Sequence, residues 1–169
     1  MAKVLMVIAP RDFRDEEYFK PKAILEKAGF EVVTSSFKVG EVQGAGGKTT
    51  QADVLVSEVK PEEFQAVVFV GGPGMVDLVN NPDLIKLAKQ FCEAQKIVSA
   101  ICVAPSILAN AGILKGLSAT GWSGITQNLL QKGANVINKP VVWSGKVITA
   151  EGPMASQEFG ETLVKALSQ

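Results

Sequence analysis

The chain contains no histidine in 169 residues. Histidine is the usual general base for a cysteine at neutral pH, so any Cys–His dyad or triad within the chain is excluded. The same absence removes the commonest ligand for zinc and iron. Cysteine is scarce as well: Cys92 and Cys102 are spaced as neither a disulfide framework nor a metal-binding pattern. No metal is therefore expected, and the chain is also read as using no cofactor. An excess of charge is also missing, with 17 basic side chains against 17 acidic ones. That balance gives no electrostatic reason to expect a nucleic acid or an anionic membrane as partner. Long hydrophobic runs are absent, and stretches such as VVFV at 67–70 are far too short to span a bilayer. The opening MAKVLMVIAP reads as a core strand without a signal-peptide n-region or cleavage site. Cytoplasmic residence is the resulting expectation.

What is present is enough apolar material for one domain over residues 1–169, with 47% hydrophobic and 20% charged residues. Short apolar runs at 4–9, 31–37, 66–70 and 97–101 suit strands covered on both faces. Between them lie longer segments of helical periodicity. Tyr18, Ile24, Leu25 and Ala28 form one such set; Pro21 fits the first turns of a helix or a kink. A second helix carries Leu84, Ile85, Leu87, Ala88 and Phe91, with Asn80 or Asn81 as its cap and Pro82 in its first turn. Ser144-Gly145 signals a tight hairpin, and a last helix is expected over roughly 155–167. Alternating strands and helices predict an α/β fold with a mostly parallel sheet clothed on both faces.

Two glycine-rich segments invite ligand readings. GAGGKTT, residues 44–50, ends like a phosphate-binding loop, but Val42 stands where that motif needs glycine. A strand rather than a helix is expected after it, so a flexible hairpin is the better reading. Gly71-Gly72-Pro73-Gly74 follows a core strand, where open α/β sheets bind ligands. Its backbone N–H groups suit an oxyanion subsite, and a turn with unusual dihedrals explains the glycines nearly as well.

Cys102 directly follows the apolar run Val98–Ile101 and precedes a helix beginning near Pro105. A residue in such a strand-to-helix turn is held in a strained conformation, with its side chain exposed at the sheet edge. First-turn N–H groups there favour a thiolate. The alternative is a buried cysteine acting as a small hydrophobe, the class expected for Cys92.

Ala66–Gly74 and Ser99-Ala100-Ile101-Cys102-Val103-Ala104-Pro105-Ser106 together resemble the DJ-1/PfpI superfamily, the class I glutamine amidotransferase-like fold. Ala111–Gly116, Trp122-Ser123-Gly124-Ile125 and Val142–Pro153 extend the likeness over nearly the whole chain. The resemblance implies a flavodoxin-like, three-layer αβα sandwich and a nucleophile elbow at Cys102. It implies a partner acid from the loop after the first strand, in a register that makes it Glu17, with Asp15 and Glu16 as neighbouring choices. A glutamic acid kept protonated by burial would donate a hydrogen bond to the thiolate, and the two would titrate as one unit. Gly71, Gly72, Val103 and Trp122 are the implied oxyanion and pocket residues. Many PfpI-like members have histidine where this chain has Val103, so a peptidase mechanism lacks its base. The implied activities that need no histidine are two. One is a glyoxalase III-like or deglycase reaction on a small 2-oxoaldehyde; the other is a redox or stress response through oxidation of Cys102. A small aldehyde or an oxidant is thus the expected partner. The resemblance also implies a homodimer or a higher homo-oligomer, with Phe13, Tyr18 and Phe19 either anchoring that interface or packing inside one subunit.

Overall fold

A seven-stranded sheet runs through the computed structural model, which describes residues 1–169. In chain order the elements are β1 (Lys3–Val7), β2 (Arg11–Phe13), α1 (Asp15–Lys27), β3 (Glu31–Ser36), β4 (Gly40–Gly44), β5 (Thr49–Ala52), β6 (Val54–Leu55) and β7 (Ala66–Phe69). They continue with α2 (Pro82–Glu93), β8 (Ile97–Ile101), α3 (Pro105–Asn110), β9 (Ser118–Ala119) and α4 (Thr126–Gln131). Then come β10 (Asn135–Val136), β11 (Val141–Ser144), β12 (Val147–Ala150) and α5 (Ser156–Leu167). The sheet order is β11-β12-β8-β7-β1-β3-β6. Every adjacent pair in it is parallel except the β11–β12 hairpin, which turns at Gly145. The expected α/β class and mostly parallel sheet are what the chain forms, with the antiparallel addition at one edge.

The period of two along each strand divides the core into two layers. Leu5, Val7, Val67, Phe69, Val98 and Ala100 point to one side, against Leu84, Leu87 and Phe91 of α2 and Ile107 of α3. Val4, Met6, Ile8, Ala66, Val68 and Ile101 point to the other, against Tyr18 and Leu25 of α1 and Phe159 and Leu163 of α5. Continuous apolar runs make this possible, because both faces of every central strand must be buried. From β1 the chain passes to β3 on one side and to β7 on the other, which opens a crevice beyond the C-terminal ends of the central strands. The segments after β1, β7 and β8 all empty into it.

Local details differ from the sequence reading in four places. Arg11–Phe13 is a short strand rather than plain loop, pairing with β4 in a three-stranded side sheet. α1 begins at Asp15, with Asp15, Glu16 and Glu17 in its first turn, where acidic groups suit the helix dipole. Pro21 lies well inside α1, so the carbonyl of Glu17 loses its usual helical donor. A 3₁₀ turn over Pro73–Leu78 follows Gly72 at once, in a segment that the sequence showed only as a glycine-rich turn.

The GAGGKTT segment is the hairpin of β4 and β5. Its turn is held by the buried carboxylate of Asp15, which accepts from the backbone N–H groups of Gly46 and Lys48 at 3.2 Å each. Asp15 is thus a clamp between α1 and the side sheet. Asp15→Ala leaves both donors without their acceptor and is expected to lower stability by about 1–3 kcal/mol. Denaturant titration checks this, and an unchanged midpoint would show the clamp to be idle.

Candidate active site

Cys102 is the first residue after β8 and has φ +65, one of three non-glycine residues with positive φ. The turn is fixed on both sides by backbone bonds. Cys102 N–H donates to Ala150 O at 2.9 Å, tying it to the end of β12. Its carbonyl accepts from Trp122 N–H at 2.8 Å. A left-handed conformation at a residue with a Cβ costs of order 1–3 kcal/mol and persists only where the surroundings enforce it. Here it turns the side chain off the strand and into the crevice. Cys102 is partly exposed as a result. Cys92, expected to be buried, is exposed on α2. It lies past the stripe made by Leu84, Leu87, Ala88 and Phe91, at the flank of the helix.

Glu17, in the first turn of α1, has no exposed surface and reaches the same spot from β1's side. Gly71 separates the two groups. A Cβ placed on Gly71 would lie 2.5 Å from Glu17 Oε1 and 2.8 Å from Cys102 Cβ, so only glycine fits between them. Gly72 has φ +123, and a Cβ there would strike the backbone N of Arg14. The glycines after β7 thus let three segments converge. The Gly71 carbonyl also accepts from Arg14 N–H at 3.0 Å, which pins the start of α1 over the site. Of the three acids in register, the structure brings Glu17 to Cys102. Asp15 holds the hairpin and Glu16 is exposed.

Burial pushes the Glu17 carboxyl up to about 7. The Cys102 thiol, the Arg14 charge and the Gly71 N–H draw it only partway back. Those neighbours are close, yet neither carboxyl oxygen completes a well-aligned hydrogen bond, so the acid is both buried and unpartnered. Burial likewise raises the Cys102 thiol, and the adjacent Glu17 carboxylate raises it further, to about 12. The Val103 N–H and Arg14 act in the opposite direction. An ionised Glu17 therefore opposes the thiolate; only the protonated acid can donate to it. At neutral pH the pair holds one to two protons, and the thiolate exists only in the state where Glu17 keeps one.

The pocket over Cys102 has a volume of about 380 Å³ and is lined by Arg14, Gly72, Val76, Val103, Trp122 and two prolines, Pro73 and Pro153, besides the cysteine. Of the anticipated pocket residues, Gly72, Val103 and Trp122 are there. Gly71 is not: it faces Glu17 beneath the floor. The N–H groups of Gly72 and Val103 have no backbone acceptor. A larger cavity of about 460 Å³ shares Trp122, but its walls are Thr120, Ser123, Asn138 and Glu151, and Cys102 does not reach it. Phe13 and Tyr18 are fully buried and packed edge to face at 5.3 Å, so these two are core residues and not interface anchors. Phe19 retains some surface, under the Lys48 ammonium. Arg14 is the pocket residue that the sequence reading passed over. Its signal was slight, one cation ahead of three acids in a loop already assigned to the site.

No group of His, Cys, Asp and Glu side chains could hold a metal ion, and no helix is long and apolar enough to cross a membrane. An αβα sandwich with a strained cysteine in the turn after a central parallel strand, and an acid from beyond the first strand, defines an α/β protein of the nucleophile-elbow class. The model of the DJ-1/PfpI family matches residues 2–166, and the chain belongs to that family. It is 31% identical over 163 residues to deglycase PfpI of Pyrococcus furiosus, an alignment covering 96% of this chain and 98% of that protein. An uncharacterized protein of Methanocaldococcus jannaschii is 43% identical over 171 residues, covering 99% of this chain and 83% of the relative. The crystal structure of a ThiJ/PfpI domain protein from Brachyspira murdochii superposes with a TM-score of 0.97 at 40% identity, covering 98% of this chain and 96% of the other.

Proposed function

We propose that the chain is a cofactor-independent glyoxalase or deglycase acting on small 2-oxoaldehydes, with Cys102 as nucleophile and Glu17 as the acid–base group. The observation that carries this reading is the pairing of a partly accessible thiol with a sealed carboxyl whose pKa lies near 7, in a chain without histidine. A general acid–base works best when its pKa lies near the operating pH. The similarity to a protein named a deglycase supports the same class.

The reaction runs on these two groups. Glu17, as carboxylate, takes the thiol proton while sulfur adds to the aldehyde carbon. The carbonyl electron pair moves onto oxygen, held by the N–H groups of Gly72 and Val103, which have no backbone acceptor, and that oxygen is protonated to a hemithioacetal. Transfer of the carbon-bound hydrogen to the neighbouring carbonyl, as a proton through an enediol, leaves a thioester. Water then releases the 2-hydroxy acid and restores the thiol. The sum is aldehyde plus water to 2-hydroxy acid, with no outside oxidant.

Lactate formation from methylglyoxal tests the reading. Cys102→Ser is expected to abolish it, and Glu17→Gln to reduce it by at least about a hundredfold. Lactate formed at the wild-type rate by Cys102→Ser would overturn the assignment. No Cys102-dependent lactate, with ready oxidation of Cys102 to the sulfinic acid by dilute peroxide, would favour the redox reading instead.

A further inference from the structure

Arg14 is the cation of the Cys102 pocket, and nothing in the protein occupies it. It lines the same cavity as the thiol. Its Nε is buried without a hydrogen-bond partner. The guanidinium makes no ion pair, although Asp15, Glu16 and Glu17 follow it directly in the chain. Asp15 is engaged by the hairpin, and Glu17 lies below the floor behind Gly71. The backbone of Arg14 is fixed by its bond to Gly71 O, so the side chain stands on a rigid base. A buried donor of a charged group left unpaired in a folded protein is costly, and a ligand that supplies the acceptor recovers the cost. The remaining walls, Val76, Val103 and Trp122 with the prolines, are apolar or carry at most one side-chain donor. No acidic side chain lines the pocket to repel an anion.

We propose that Arg14 makes this pocket selective for anionic carbonyl compounds, gripping a carboxylate on the molecule that Cys102 attacks. The inference rests on Cys102 being the nucleophile and deepens the reading above by naming the substrate class: a small 2-oxoaldehyde that carries a carboxylate near the reacting carbon, for which glyoxylate serves as a probe of the addition step alone. The planar guanidinium fork matches a carboxylate bidentately and holds it beside the thiol. With glyoxylate, sulfur bonds to the aldehyde carbon while the carbonyl π pair moves to oxygen. That oxygen takes a proton, and the result is a hemithioacetal with no change in overall oxidation level.

Alkylation tests this without any turnover. Iodoacetate and iodoacetamide react identically at carbon: sulfur displaces iodide, and the thiol proton leaves to base. They differ only in the charge of the group Arg14 would hold. Both cysteines are read separately by mass spectrometry, with exposed Cys92 as reference within the same chain. The iodoacetate-to-iodoacetamide rate ratio at Cys102 is expected to exceed that at Cys92 by at least tenfold. It should saturate with iodoacetate concentration, and glyoxylate should protect Cys102 at concentrations where neutral methylglyoxal does not. Arg14→Gln should bring the ratio down to that of Cys92, and Arg14→Lys should recover only part of it. Equal ratios at the two cysteines, or a Cys102 ratio unchanged in Arg14→Gln, would overturn the proposal. Either result leaves lactate formation from methylglyoxal free to succeed or fail separately, so the two readings are distinguished.

Discussion

Glu17→Gln is expected to stabilise the fold by about 3 kcal/mol at pH 8.5 and to leave it nearly unchanged at pH 4. The folded-state pKa of Glu17, about 7, stands above its ordinary value of 4.5 because the carboxyl is buried. The folded protein then holds the proton more tightly than the unfolded chain does. The stability that the protonated acid contributes is complete below about 4.5 and is lost as pH rises from there through 7. Above that, a buried carboxylate with two unpartnered oxygens remains as a standing cost. Glutamine has nearly the same shape and cannot ionise, so the variant escapes the loss. Urea titrations of both proteins at pH 4, 6 and 8.5 check this. Parallel pH dependence in the two would mean that Glu17 is not the buried acid of the site. A wild type that accepts this cost at neutral pH is keeping a group that serves chemistry at the expense of stability.

How much of this was legible in the sequence follows from what each feature depends on. β1, β7 and β8 were readable because burial on both faces demands runs that are apolar almost throughout, whereas β3 shows only Val32 and Val33 before its buried Thr34, Ser35 and Ser36. β2 was not, because a three-residue strand on a side sheet has too little hydrophobic pattern to separate it from loop. The clamp by Asp15 was hidden for a related reason: its donors, Gly46 and Lys48, lie about thirty residues away and are backbone groups, which leave no trace in side-chain pattern. Cys92 was misplaced by treating cysteine as an apolar filler, although the stripe through Leu84, Leu87, Ala88 and Phe91 already had its full width without it.

The position of Cys102 was legible from local order alone, strand then turn then helix. Glu17 was named by resemblance; from its own neighbourhood it is one acid among three. What separates it is a fact of packing, since Gly71 brings it to Cys102 while Asp15 is turned to the hairpin. Its protonation behaviour was anticipated only once the resemblance had named it. It arises where α1, the turn after β7 and the turn after β8 meet, and none of these contains the others' contribution. Arg14 was missed on the same ground. A cation beside three acids reads as a surface ion pair, and only the structure leaves it unpaired in the pocket.

Glu17→Gln is also expected to separate the reactivity of Cys102 from turnover. In the wild type, alkylation by iodoacetamide requires the thiolate with Glu17 still protonated. As pH rises toward 7 that state gains about tenfold per unit, as any thiolate does. Above about 7 the carboxyl ionises, and a thiolate formed beside it would meet a second negative charge. The wild-type rate should then level off and stay flat toward about 12, where the second proton leaves. In Glu17→Gln no such charge develops, so the rate keeps climbing through pH 8 and 9. At pH 9 the variant should alkylate about 10- to 100-fold faster than the wild type, the span set by two units of pH. Lactate formation should fall in the same variant, because glutamine cannot pass the proton that the enediol step requires. The measurement uses a Cys92→Ser background, so that only Cys102 is read. A wild-type rate that rises steadily to pH 10 would show the two groups to be independent. A variant that loses alkylation together with turnover would make Glu17 a support for the thiolate itself and not a proton carrier, because a carboxyl needed only as carrier leaves a more reactive sulfur when it is replaced.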